Sequence, residues 1–392
     1  MTGCGVIAIE KDNLPGQWIA MVVIILMAIG TVFVFSASAD IAKDFSLQRF
    51  YASAALRQVV YFPLGIGVLY LFSRLNYRRL SLEAGWSKSP TTYLFIIAVI
   101  LLIIVLLPQF GTEINRARRW LRIAVGGATI SFQPSELAKW AMVFLLVGVC
   151  DKYRDTLAQF WRRFIPICLV TGLVVGLILI EDFGTAALVA LLSFLILLIA
   201  GVNYRHILTP LPFGAAAFVL AILTSPERKM RILAFLYPDQ WAGSANYQAN
   251  QSLIALGSGG LFGKGLGRGI SKYGHLPEDT TDFIFAVIGE ELGFVGNAVV
   301  IALFIAFIVL GVFVVLRCKD RFGKLLATGI LFTIAVQAAL NIGVVTVVLP
   351  TKGLPLPFVS AGGTSMLLSA AAVGVLLNIA GQSAEEQTEE IG

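Results

Sequence analysis

The sequence predicts an all-α, polytopic membrane protein of about ten transmembrane helices, with one large loop between the seventh and the eighth. Three observations carry this reading. Hydrophobic residues make up 58% of the 392 positions and charged residues only 13%, with a mean hydropathy of +0.86; soluble domains run at roughly 45–50% apolar and 25% charged. Apolar stretches near the length of about 20 residues needed to cross a bilayer recur along the whole chain. Between them a single polar stretch, Pro226 to Asp282, is long enough by numbering to be functional or disordered, and its aromatic content argues for function.

The first 17 residues include Glu10, Lys11 and Asp12 and lack a basic leader and a small-residue cleavage pattern, so the segment is expected to stay as the first helix. Hydropathy then places helices at Trp18–Ser36, Ala52–Phe72, Tyr93–Leu107, Pro134–Cys150 and Phe164–Ile180. Five more follow at Thr185–Val202, Ile207–Leu223, Phe283–Leu316, Leu325–Val348 and Gly362–Ile379. Phe283–Leu316 exceeds one span, and Glu290 and Glu291 in its first turns have to be buried in protein or interfacial. Residues 1–382 thus read as one membrane domain, and the tail Ser383–Gly392, with four Glu, reads as disordered and cytoplasmic. The two His and the scattered Cys4, Cys150, Cys168 and Cys318 have no ligand spacing, so no zinc site, haem site or disulfide framework is expected.

Lys and Arg set the orientation. The second, fourth, sixth and eighth connections hold thirteen of them, against four in the first, fifth and ninth. Both termini are therefore expected in the cytoplasm, with Gly111–Gln133 and Pro226–Asp282 outside. These two outer stretches carry four and six basic residues against the usual bias. A ligand is one reason for such an excess.

In the first of them, Arg116, Arg118, Arg119 and Arg122 beside Trp120 form a cationic patch suited to phosphate. A solvated loop touching anionic lipid explains the same pattern. Glu136 and Lys139 then lie three residues apart on one helix face, and such a pair inside a membrane lines a polar cavity or clamps a neighbouring helix. In the second, Tyr247–Leu256 is amphipathic and can lie in the interface plane. The run Gly257-Ser-Gly-Gly-Leu-Phe-Gly-Lys-Gly-Leu-Gly-Arg-Gly269 fails the nucleotide-loop pattern at Ser258 and Gly265. Its alternating glycines suggest an extended segment with one bare face, or a plain flexible loop. Asp282 opens the next helix, with Gly289 and Gly293 on the same face. An acid there is either a helix cap or a reacting group above a small-residue groove.

These motifs together resemble one family. Arg119-Trp120 with Gln133-Pro-Ser-Glu-Leu-Ala-Lys139, Asp182-Phe-Gly-Thr185, Tyr247-Gln248 with Gln251-Ser252, Leu276-Pro-Glu278 with Thr281-Asp-Phe-Ile-Phe285, Gly289-Glu-Glu-Leu-Gly293 and Leu349–Phe358 look like the SEDS proteins, which comprise FtsW, RodA and SpoVE. The match is in consistent order from first span to last. Thr351-Lys-Gly-Leu-Pro is more similar to the FtsW and SpoVE branch.

The resemblance implies the SEDS fold and a peptidoglycan glycosyltransferase. Such an enzyme polymerises lipid II on the outer face of the bacterial cytoplasmic membrane and releases undecaprenyl pyrophosphate. It also implies a class B penicillin-binding protein and other division or elongation membrane proteins as partners, and no nucleic acid. The family's catalytic acid falls on Asp282. Its cavity residues fall on Arg119, Glu136, Lys139 and Lys352, with Lys264, Lys272 and Glu278 completing the candidate substrate-binding set. The sequence shows no metal site, although a divalent cation, Mg or Mn, could share the charge of the pyrophosphate. The chain departs from the family pattern at Glu181, where a Pro is usual, at Thr280, where a His is common, and at Ala361, where a Tyr is usual. A lipid II flippase, a non-catalytic scaffold and an O-antigen-ligase-like transferase are the alternatives. The first two would tolerate Asp282→Asn.

Overall fold

The computed structural model describes residues 14–38, 54–114, 117–125, 128–238, 246–272 and 276–391. The segment before Leu14, the loop with Lys43 and Arg49, and Trp241 lie outside the described residues. Each of the ten segments expected to span is helical: α1 Leu14–Ser38, α2 Ala54–Ser73, α3 Pro90–Leu106, α4 Pro134–Lys152, α5 Ile165–Glu181, α6 Phe183–Ile199, α7 Leu211–Leu223, α10 Ile284–Arg317, α11 Arg321–Val345 and α12 Gly363–Ile391. Two further helices, α8 Pro226–Leu236 and α9 Tyr247–Gly259, belong to the long loop. Seven helical stretches are long and apolar enough to cross a membrane, and α3 and α6 are shorter apolar helices. The molecule is an integral membrane protein.

Helix starts follow local chemistry. Pro90 and Pro134 stand in first turns, where their missing N–H costs nothing. Asp182 caps α6 by accepting from the Thr185 N–H at 3.1 Å, and Asp320 caps α11 by accepting from the Gly323 N–H at 2.9 Å. The core centres on α4, every residue of which from Pro134 to Asp151 is buried. Around it pack α3, α6, α11 and α12, while α1 lies on α10 and α2 on α12. By contrast, α7 buries no residue and presents its whole apolar surface outward.

Three features differ from the sequence expectations. Gly111–Gln133 is not an irregular loop: Gly111–Ile114, Ala117–Val125 and Ala128–Phe132 form an antiparallel sheet, β1-β2-β3, in register Thr112 to Trp120 and Leu121 to Phe132. The fold is therefore all-α in the membrane and carries a small sheet at one end. The glycine run is folded into turns rather than extended, with φ positive at Gly260, Gly263, Gly265 and Gly267. The tail expected to be disordered from Ser383 continues α12 as helix to Ile391, consistent with the high helix propensity of Ala, Gln and Glu.

The 34-residue α10 is two helices joined at Gly293, whose φ of 70° and ψ of −164° suit only glycine. Residues 284–292 form a half-helix that brings Glu290 and Glu291 into the protein, as their charge demands. Glu290 accepts from Lys264 Nζ at 2.7 Å and from the N–H groups of Ile270 and Ser271. Glu291 accepts from Ser36 Oγ, the Gly267 N–H and Lys272 Nζ. The glycine turns are thereby clasped to the half-helix. On the other side α9 packs the small residues Ala249, Ser252, Ala255 and Gly259 into the bundle, and Ser252 Oγ donates to the Val345 carbonyl at 2.7 Å. The run Tyr247–Leu256 is thus bound to α10 and α11 along one face.

Candidate active site

The site is assembled at the end of the bundle that carries the sheet. The β1–β2 register slips at Arg119, which has no partner between the Thr112–Trp120 and Glu113–Arg118 pairs, and this irregularity lets Arg119 and Trp120 line the same cleft. Arg119 Nε donates to the Glu181 carbonyl at 2.8 Å, and the Arg118 N–H donates to the Glu181 carboxylate at 2.8 Å. These bonds pin the strand to the carboxyl end of α5. There the chain turns through Asp182, whose carboxylate also accepts from Thr185 Oγ1 at 2.9 Å and Gln133 Nε2 at 3.4 Å. Phe183 follows, and its ring lies 5.0 Å from Lys352 Nζ and 5.6 Å from the Arg228 guanidinium carbon. Two cations are held over one aromatic ring by its quadrupole.

Asp282 enters from the other side, in the turn just before α10. A Cβ placed on Gly353 would stand 3.0 Å from Asp282 Oδ2 and 3.7 Å from Arg119 Nη1, so the backbone at Gly353 passes directly between acid and guanidinium. Only hydrogen fits there comfortably. A cleft of about 200 Å³ opens over these groups and includes Arg119, Arg231, Glu278, Asp282 and Lys352 in its lining. A second, of about 210 Å³, adjoins it beside Glu181, Asp182, Phe183 and Arg228. Arg119, Arg231, Lys352 and Gly353 line both. The first cleft thus gathers two acids, Glu278 and Asp282, with three cations, Arg119, Arg231 and Lys352.

Burial, reinforced by the carboxylates of Glu278 and Asp182 and opposed by Arg119 and Arg231, pushes the Asp282 carboxyl up to about 7. Asp279, which does not line the cleft, is raised to about 6, mainly by burial. Burial also lowers Lys352 from the usual lysine value. A carboxylate poised near neutrality is suited to accept a proton, and clustered cations are suited to a phosphate leaving group.

Of the eight residues singled out from sequence, the structure brings Asp282, Arg119, Glu278 and Lys352 together. The other four do not line this cleft. Lys139 and Glu136 are 0% and 1% exposed and pair with each other at 2.8 Å deep in the bundle. Lys264 and Lys272 are ion-paired to Glu290 and Glu291. Each of these four is held in an ion pair, which offsets the cost of burying its charge. Conversely, Arg231, Arg228 and Asp182 belong to the site and were not singled out. Arg228 and Arg231 lie three apart on α8, a spacing that shares one helix face, and Asp182 stood within a quoted motif. Among the described residues no three His, Cys, Asp or Glu gather as metal ligands; the cations that line the two clefts are Arg119, Arg228, Arg231 and Lys352.

Both the sequence and the fold are similar to those of known proteins. The sequence is 36% identical over 368 residues to a probable peptidoglycan glycosyltransferase FtsW of Coxiella burnetii, covering 93% of this chain and 95% of that one. It is 36% identical over 374 residues to the stage V sporulation protein E of Bacillus subtilis, covering 94% and 98%. Among solved structures it is similar to a chain of a peptidoglycan synthase complex that coordinates polymerization and crosslinking, with a TM-score of 0.72, 27% identity and coverage of 93% and 97%. The rod shape determining protein RodA of Thermus thermophilus matches with a TM-score of 0.64, 28% identity and coverage of 93% and 96%. With residues 17–385 matching the profile of the family described as Cell cycle protein, the chain belongs to the FtsW/RodA/SpoVE family.

Proposed function

We propose that this protein is a peptidoglycan glycosyltransferase that polymerises lipid II at the outer face of the bacterial cytoplasmic membrane. The observation that carries it is the convergence of Asp282, Arg119 and Lys352 on one cleft, with Asp282 and Arg119 both close to Gly353. Naming of full-length relatives as peptidoglycan glycosyltransferases supports the reaction class.

The 4-hydroxyl of the acceptor sugar attacks the anomeric carbon of the donor and gives its proton to Asp282. The bond from that carbon to the pyrophosphate oxygen breaks, the centre inverts and the lipid pyrophosphate leaves. General-base assistance is worth about 10²–10⁴-fold. Arg119, Arg231 and Lys352 stabilise the departing charge, a contribution of about 10²–10³-fold per well-placed donor. A divalent cation carried by the pyrophosphate can share that task. The excess of Lys and Arg in connections at the opposite end of the bundle supports cytoplasmic termini and an outward-facing site. The likeness to a synthase that couples polymerization to crosslinking supports a class B penicillin-binding protein as partner.

The test is glycan formation from lipid II by the purified chain and its Asp282→Asn variant, with folding verified by thermal melting. Loss of polymer at unchanged fold is expected. Near-normal polymer would refute the assignment of the base.

A further inference from the structure

The acid and the cation that face each other come from different parts of the chain, and neither part is a regular element where it matters. Asp282 lies in the turn 277–283 and Lys352 in the segment between α11 and α12. Two buried amides one turn apart on α11 bind both. The Asn341 side-chain NH₂ donates one hydrogen to the Asp282 carbonyl at 2.8 Å and the other to the Leu354 carbonyl at 2.7 Å. Its orientation is fixed by chemistry, since the flipped amide would set an oxygen against two oxygens. Gln337 Nε2 donates to the neighbouring Pro355 carbonyl at 2.9 Å, and Gln337 Oε1 accepts from Lys139 Nζ at 2.6 Å. Lys139 is held in turn by Glu136.

The turn is tied twice more to the same segment. Ser360 Oγ donates to the Thr281 carbonyl and accepts from the Leu356 N–H, and the Ala361 N–H donates to the Thr280 carbonyl at 2.8 Å. Three successive carbonyls, 280 to 282, thus each have a donor from the carboxy-terminal third of the chain. Such a run fixes where the Asp282 side chain leaves the backbone.

We propose that Asn341, backed by Gln337 and the Glu136–Lys139 pair, is a positioning residue that sets Asp282 against Lys352 without touching substrate. This rests on the glycosyltransferase reading. It also gives the Glu136–Lys139 pair a purpose away from the cleft: an amide that accepts from an ammonium is held in one orientation, and its NH₂ is left for the loop.

The experiment is lipid II polymerisation by the full chain in liposomes, recorded as kcat, KM and a pH–rate profile. It compares wild type with Asp282→Asn, Asn341→Ala, Asn341→Asp and Ser360→Ala. A displacement of about 1 Å costs on the order of 10²-fold, so Asn341→Ala and Asn341→Asp are expected to lower kcat about 10- to 100-fold with KM within about twofold. Asn341→Asp keeps the volume but cannot donate to two carbonyls when ionised. Loosening the turn hydrates Asp282 among Glu278, Asp182, Arg119, Arg231 and Lys352, and the acid limb of the profile moves to lower pH. Ser360→Ala removes an independent tether and is expected to show the same signature in smaller measure. An unchanged kcat and limb in Asn341→Asp, or a loss in Asn341→Ala that tracks only a lowered melting temperature while Ser360→Ala is normal, overturns the proposal. If Asp282→Asn keeps wild-type rate, the function reading itself fails, and that outcome is separate from the others.

Discussion

The pH dependence of polymerisation tests the site most directly. Asp282 is pushed from its usual 3.8 to about 7, and a general base works only when ionised. At pH 6 about a tenth of the molecules then carry the active form, at pH 7 about half and at pH 8 about nine tenths. The rate at saturating lipid II is therefore expected to rise about tenfold from pH 6 to pH 8, with unit slope below the bend. The sign of two substitutions follows from what faces the acid. Glu278→Gln removes the leading like charge, favours the ionised form and moves the bend down by about half a unit to one unit. Arg119→Met removes an opposing cation and moves it up, besides lowering the maximum. Asp279→Asn, away from the cleft, leaves the bend near 7. Initial rates from labelled lipid II, buffered at constant ionic strength from pH 5.5 to 8.5, measure this. A flat profile, or a Glu278→Gln bend that moves upward, would refute the reasoning.

Other outcomes are expected from the same geometry. Gly353→Val sets methyl groups between Asp282 and Arg119 and is expected to cut the rate about 10²-fold at unchanged melting temperature, read from polymer length and yield on gels. Lys352→Met lowers kcat about 10²-fold, with a smaller loss in Lys352→Arg, since charge rather than shape is what the leaving group needs. Gly293→Ala forces a side chain into a backbone region closed to it and against Leu261 and Gly263, costing on the order of 1–3 kcal/mol or more, visible as a lower melting temperature in detergent. Glu291→Gln strips Lys272 of its counter-charge and is expected to cost roughly 3–5 kcal/mol; Glu291→Gln with Lys272→Met recovers part of it in a double-mutant cycle.

The helical frame was legible because the membrane leaves few alternatives: a backbone in hydrocarbon has to satisfy its own hydrogen bonds, so apolar length alone marks a span. All ten expected segments are helical for that reason. The sheet was hidden, since its middle strand begins Ala-Arg-Arg-Trp-Leu-Arg from Ala117 and does not alternate polar with apolar. The Gly126-Gly127 pair between β2 and β3 was the available hairpin signal. Charge gave less guidance. Hydropathy marks Lys139 as costly but does not say whether a carboxylate or a ligand repays it; Lys139 pairs with a carboxylate, as do Lys264 and Lys272 in the outer loop. Asp282 and Lys352 came from motif resemblance, because a lone acid at a helix start has the same spacing as a cap. Asn341 left no trace, being one amide among apolar neighbours whose partners are carbonyls that every residue carries.

Helix length has a consequence for the bilayer itself. α3 and α6 have 17 residues each, about 25 Å at 1.5 Å per residue, against a hydrocarbon slab of about 30 Å. Their short ends meet at the site: Leu106 of α3 lies by Arg119 and Asp182, and Phe183 of α6 lines the cleft. Local thinning of the flanking bilayer by a few ångströms is one way in which a short span is accommodated. Such thinning would lower the leaflet surface toward Arg119 and Lys352, and a phosphate riding on a polyprenyl chain would meet them at its own depth. A membrane of longer acyl chains raises that surface, so the catalytic rate should depend on bilayer thickness even where the protein's fold does not.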